Sequence, residues 1–119
     1  MIKGVISDDL EPIIEIILVF NGRKISQPAV VDTGFNGFLS VPHDLILESG
    51  WEFLGYEKYE LADGKIIESR VYIGEVELDG KKRKVGVLSS HAKEILLGTR
   101  LLAGKFLQID FKKKTLLIK

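Results

Sequence analysis

"PAVVDTGFNGFLSVP", residues 28–42, is the stretch on which the reading of this chain turns. Ala29, Val30 and Val31 form an apolar run of the kind that builds a buried strand. It delivers an acid, a hydroxyl and a glycine, Asp32, Thr33 and Gly34. A carboxylate at the inner end of a buried strand is costly unless something pairs with it or uses it. Asp and Gly are also ordinary turn formers, so the tripeptide alone fits a plain strand end. Its surroundings have to decide.

Working outward, short β-rich runs alternate with turn residues. "PIIEIILVF" (12–20) and "KISQPAVVD" (24–32) flank Asn21-Gly22, the strongest short hairpin signal. Residues 33–38 read as a glycine-containing loop and "FLSV" (38–41) as a short strand. In "PHDLILESG" (42–50), Pro42 suits a first helical turn, Asp44 its N-terminal end, and Gly50 the position just past its end. "GYEKYEL" (55–61) and "KIIESRVYIGEVEL" (65–78) flank Ala62-Asp63-Gly64, a second hairpin. "KKRKVGVL" (81–88) returns after Asp79-Gly80, a third. "EILLG" (94–98) is a buried apolar strand, and "TRLLAG" (99–104) one or two helical turns capped by Gly104. "FLQIDF" (106–111) and "TLLIK" (115–119) form a last hairpin around Lys112–Lys114. The expected class is all-β, a small closed barrel or a sandwich with one or two short helices.

A chain of 119 residues suits one domain, spanning 1–119, with a real hydrophobic core. Its 17 basic and 17 acidic residues cancel, so no global field draws it to nucleic acid or an anionic membrane, and neither is an expected partner. It has no cysteine, which excludes disulfides, zinc–thiolate sites and thiol catalysis and fits a reducing compartment. The apolar run Ile13–Phe20 is too short to span a bilayer and carries Glu15. Asp8, Asp9 and Glu11 precede it, not the basic segment of a signal peptide, so a cytoplasmic location is expected.

Other chemistries lack their patterns. His43 and His91, the only two histidines, lie far apart in sequence and read as surface or turn residues, with no metal site. Ser89-Ser90-His91 lacks the Gly-x-Ser-x-Gly elbow and falls in an apparent loop. Asp63-Gly64 with Glu68 falls short of a calcium loop, and no glycine loop has phosphate-binding spacing. "KKRK" (81–84) reads as the solvated start of a hairpin strand, "FKKKT" (111–115) as a wet turn, and Trp51 as a packing residue. No cofactor is expected.

Three motifs in order then give Asp32 a context: "VVDTGFNGFLSVP" (30–42), "ELADGKIIESRVYIGEV" (60–76) and "ILLGTRLL" (95–102). Together they span most of the chain, and it resembles a retropepsin-like aspartic protease. The motifs match that family's catalytic loop, flap hairpin, and apolar strand with its glycine and helix. The tail "LLGTRLLAGKFLQIDFKKKTLLIK" (96–119) is more similar to the cellular DNA-damage-inducible and short prokaryotic members than to viral ones.

The resemblance implies a two-fold homodimer that acts on peptide or protein substrates. Peptide hydrolysis by this route takes two carboxylates sharing one proton, and the chain carries a single Asp-Thr-Gly. Asp32 is the expected catalytic residue, facing its symmetry mate. Thr33 and Gly34 are expected to support the loop, Thr33 by bonding across the dimer. Gly34, Phe35, Asn36, Ala62, Asp63, Gly64, Ile66 (or Ile67) and Leu96 are the expected substrate-binding residues.

The chain also departs from the viral pattern. Phe35 replaces a small residue, and Asn36 and Thr99 stand where viral enzymes often pair an acid with an arginine; Arg100 follows. The flap tip carries one glycine where viral tips carry several. A non-catalytic dimeric barrel that binds peptides is the competing expectation. The apolar strand Leu116–Ile118 would otherwise be an exposed edge, so the C-terminal hairpin, 106–119, is expected in the dimer interface.

Overall fold

The computed structural model describes residues 1–119. Ten strands and two short helices follow one another as β1 (Ile2–Ile6), β2 (Pro12–Phe20), β3 (Arg23–Val31), β4 (Leu39–Pro42), α1 (His43–Ser49), β5 (Glu52–Glu60), β6 (Ile66–Leu78), β7 (Lys81–Ser90), β8 (Ile95–Leu97), α2 (Thr99–Leu102), β9 (Leu107–Asp110) and β10 (Thr115–Ile118). All ten strands join one sheet in the order β5-β6-β7-β4-β8-β3-β2-β1-β10-β9, and an additional β6–β2 pairing closes the ring β2-β3-β8-β4-β7-β6 into a six-stranded barrel. No helix is long and apolar enough to cross a membrane.

Alternation along the strands builds the core. Ile14, Ile16 and Leu18 point inward from β2, Ala29 and Val31 from β3, Val76 and Leu78 from β6, and Val85 and Val87 from β7. Closure happens where Leu18 of β2 pairs with Val76 of β6, and both side chains are wholly buried. Leu18→Ala would leave a cavity at that seam. The expected cost is about 2–5 kcal/mol, read as a lower urea midpoint with an unchanged slope.

The hairpin signals resolve as read. Asn21 (φ 49°) and Gly22 (φ 80°) both take the left-handed conformation, as do Asp79 (φ 52°) and Gly80 (φ 78°). Two consecutive positive-φ residues make the primed turn whose twist matches paired strands. Trp51 is a packing residue: its indole N–H donates to the Val19 carbonyl at 2.9 Å, and its ring meets Phe20 edge-on with centroids 5.2 Å apart.

Several expectations need correction. Pro42 is the last residue of β4 with an extended ψ of 136°, and the helix begins after it. Ser89 and Ser90 close β7 and are not loop residues. β1 has no counterpart in the sequence reading, because Gly4 interrupts the apolar alternation of Ile2–Ile6. A Cβ at Gly4 would sit 2.7 Å from Ile14 Cγ2, so only glycine lets β1 cross so close to β2. β1 also changes the status of β10, pairing with it from Ile2↔Ile118 to Val5↔Thr115. β10 is therefore an inner strand, not an exposed edge, and Leu116 and Ile118 are buried within their own chain. The free edges are β5 and β9.

Candidate active site

β3 carries Asp32 to the barrel end between β2 and β8. The parallel ladder Ala29↔Ile95, Val30↔Leu96, Val31↔Leu97 extends one step further, because the Asp32 N–H donates to the Leu97 carbonyl at 2.9 Å. The chain then turns sharply. Phe35 N–H donates to the Asp32 carbonyl at 3.2 Å, and Gly34 N–H donates to the Asp32 carboxylate Oδ1 at 2.9 Å. A short Asp side chain bonding the backbone two residues on is a self-contained turn, and it aims the carboxylate.

β8 is threaded between β3 and β4, pairing parallel with the first and antiparallel with the second. Just past β8, three successive N–H groups grip the Asp32 loop. Gly98 donates to the Phe38 carbonyl at 2.9 Å, Thr99 to Phe35 at 2.9 Å and Arg100 to Gly37 at 3.2 Å. The loop is thus held by backbone, with neutral Asn36 and Thr99 and no ion pair between them. Phe35 folds back over its own loop: Cβ atoms built at Gly37 and Gly98 would lie 2.6 Å and 2.8 Å from its ring. Arg100 lies over Phe38, its guanidinium 6.0 Å from the ring centroid, with Arg83 at 5.5 Å.

Asp32 is half-buried, and Thr33, Gly34 and Asn36 are exposed. The expectation of a buried carboxylate is therefore not met within one chain. None of the three ion pairs of the structure involves Asp32, so no cation neutralises it. Leu96 lies beside Val30 in register, on the face opposite the core residues Ile95 and Leu97 and next to the strand end that carries Asp32.

β5 and β6 form the flap-like hairpin. Its tip is a three-residue turn in which Gly64 has φ 87°, Leu61 N–H donates to the Lys65 carbonyl at 2.7 Å, and Lys65 N–H to Asp63 Oδ1 at 3.0 Å. Ala62, Asp63, Gly64 and Ile66 are all exposed there, and the tip's hydrogen bonds are internal to it. The structure places these residues on the hairpin without bringing them against the Asp32 loop. No group of three or more His, Asp or Glu residues is arranged to hold a metal ion.

One carboxyl beside the barrel titrates abnormally. Partial burial, then the negative charges of Glu94 and Asp9 and a hydrogen bond with Glu94, raise the Glu11 carboxyl above its ordinary range. A raised carboxyl stabilises the fold below its unfolded pKa, and that contribution is lost as pH rises through the folded value. Glu11→Gln should therefore flatten the decline in urea midpoint as the pH rises from mildly acidic to neutral. An unchanged profile would refute this assignment.

Sequence reasoning missed two things here. One is the grip of residues 98–100, for which the glycine ending "EILLG" was the visible signal. The other is that His43 and His91, far apart in sequence, line one cleft.

The architecture is that of retropepsin-like aspartic proteases. A retropepsin-like aspartic protease from Rickettsia conorii superposes with a TM-score of 0.68 at 20% identity, covering 98% of this chain and 88% of that one. The EIAV protease in complex with the inhibitor HBY-793 gives 0.61 at 14% identity, covering 78% and 86%. The simian foamy virus (mac) protease gives 0.52 at 22% identity, covering 72% and 86%. No protein-family model and no curated protein matches the sequence. At these identities the likeness establishes the fold.

Proposed function

We propose that the chain is a homodimeric aspartic endopeptidase. The observation that carries this reading is the Asp32 carboxylate. It is braced by the Gly34 N–H, left without a cation, and set on a loop whose outer residues face solvent. A second copy across a two-fold axis would supply the matching carboxylate. Two such groups share one proton. The ionised Asp32 takes a proton from a water, which attacks the scissile carbonyl. The protonated mate polarises that carbonyl and then protonates the leaving amine. The water's oxygen becomes part of the new carboxylic acid, and no covalent intermediate forms.

Gly34, Asn36 and Leu96 would line the floor of the groove, with Val30 beside Leu96. Phe35 would shape a subsite through its outer edge. Ala62, Asp63, Gly64 and Ile66 would close from the flap and hold the substrate as an added strand. Large apolar residues on both sides of the cut bond are the expected preference. The C-terminal hairpin remains in the proposed interface on a new ground: β9 is a free edge, flanked by the exposed rings of Phe106 and Phe111. The helix followed by the hairpin favours placing the chain with the cellular DNA-damage-inducible and short prokaryotic members. That residues 1–119 form one such domain is part of the same proposal.

The test pairs solution mass with cleavage of an unfolded peptide mixture at mildly acidic to neutral pH. A dimer and specific activity that falls on dilution are expected, since a monomer holds half of the dyad. A strict monomer that still cleaves would overturn the reading. A dimer that binds peptides without cutting them would establish the non-catalytic binding module, which the exposed polar flap tip favours as the second reading.

A further inference from the structure

β6 and β7 part company at the base of the flap. Their ladder ends at Val71↔Leu88; beyond it β6 runs out with β5, while β7 pairs with β4 through Val41↔Ser89 and Pro42↔Ser90. The fork opens a cleft of about 780 Å³, its flap wall including Tyr59, Ile67 and Ser69, its barrel wall His43, Ser89 and His91. A second cleft of about 450 Å³ shares His43 and His91. Both histidines of the chain therefore stand where the two hollows adjoin.

The walls carry polar groups fit to hold an anion. His43 Nδ1 lies 2.8 Å from Ser89 Oγ, and Ser69 Oγ donates to the Ser89 carbonyl at 2.8 Å, already linking flap strand to barrel. When protonated, His43 donates through Nδ1 to Ser89 and keeps Nε2–H as a second donor. The fixed charges of the walls cancel, Arg70 and Lys93 against Glu68 and Asp44. The net charge of the double cleft is then set by its two imidazoles. Imidazole is the side chain that ordinarily changes charge between pH 5 and 8. Both imidazoles thus border a hollow whose walls carry the hydroxyls of Ser69, Ser89 and Ser90.

We propose that this double cleft is an oxyanion-binding site, switched on by acidification, which ties the flap hairpin to the barrel when occupied. The ligand class is a phosphate-type dianion or a carboxylate. The site uses neither Asp32 nor the Asp32 loop, so it stands or falls separately from the protease reading.

The test is calorimetric titration with sulfate in one arm and acetate in the other, sulfate keeping its charge over the range used. Binding at about pH 5.5 should be at least about tenfold tighter than at about pH 7.5. Tighter sulfate assigns the site to a phosphate-type group, tighter acetate to a carboxylate. His91→Gln, at an exposed position, should remove most of the pH dependence, and His43→Gln the rest. Sulfate should also slow amide hydrogen exchange over residues 59–69 at the lower pH and not at the higher. No binding of either anion, binding independent of pH, or binding indifferent to both substitutions would overturn the proposal.

Discussion

If the chain is the proposed dimeric endopeptidase, Asp32→Asn protein is expected to fold and dimerise normally and to lose peptide hydrolysis. Asparagine has nearly the same shape, and its side-chain oxygen can still accept the Gly34 N–H that now reaches Oδ1 at 2.9 Å. The turn at the end of β3 therefore survives. What is lost is the ability to take a proton from water. In a homodimer both positions change together, so neither the base nor the acid remains. General acid–base help alone is worth about two to four orders of magnitude in rate, and the loss should be at least that large. Initial rates on an unfolded peptide mixture, with a thermal melt of the same protein, check it. Retained activity in the pure variant would remove Asp32 from catalysis and the protease reading with it.

Gly98→Ala should be nearly as damaging, for a different reason. A Cβ there would run into the backbone carbonyl of Gly37 and lie 2.8 Å from the ring of Phe35. Neither neighbour yields easily: one is main chain, and the ring is packed against Gly37. Residue 98 cannot retreat either, because its N–H holds the Phe38 carbonyl. Overpacking of this kind costs about 1–3 kcal/mol in stability. The effect on rate is larger, since displacing a catalytic group by an ångström costs on the order of a hundredfold. The expected variant is folded, modestly less stable, and slower by about that factor. Gly86→Ala is the control, as a Cβ there meets only Val71 Cγ1 at an ordinary 3.7 Å. If Gly98→Ala and Gly86→Ala behave alike, the close packing of strand β8 on the Asp32 loop is not what holds the site.

Most of the secondary structure was legible because its causes are local. Asn21-Gly22 and Asp79-Gly80 accept positive φ, and alternation assigns the strands on either side of them. The expectation that failed most instructively concerned β10. Its apolar residues were read rightly as needing cover, but the cover was assigned to another chain. It comes from β1, more than a hundred positions earlier. Nothing within Leu116–Ile118 encodes that partner, and Gly4 hides β1 from any test of periodicity.

The candidate site divides the same way. Residue order alone singled out Asp32, Thr33 and Gly34, since a carboxylate emerging from an apolar run is a local anomaly with a physical cost. Glycine at 98 was equally visible, yet its reason was not, because the Gly37 carbonyl that forbids a side chain there arrives from 61 residues away in the chain. The meeting of His43 with Ser89, and so the cleft that His43 shares with His91, was invisible for the same reason: His43 is brought there only where β4 lies parallel to β7. Strand identity, turn type and the presence of an exceptional acid follow from neighbours along the chain, whose interactions act within a few residues. Which strand covers which, where glycine is compulsory and which titratable groups share a cleft depend on contacts between segments far apart in the chain, such as β1 with β10, β4 with β7 and β2 with β6 at Leu18 and Val76, and these exist only in the folded sheet.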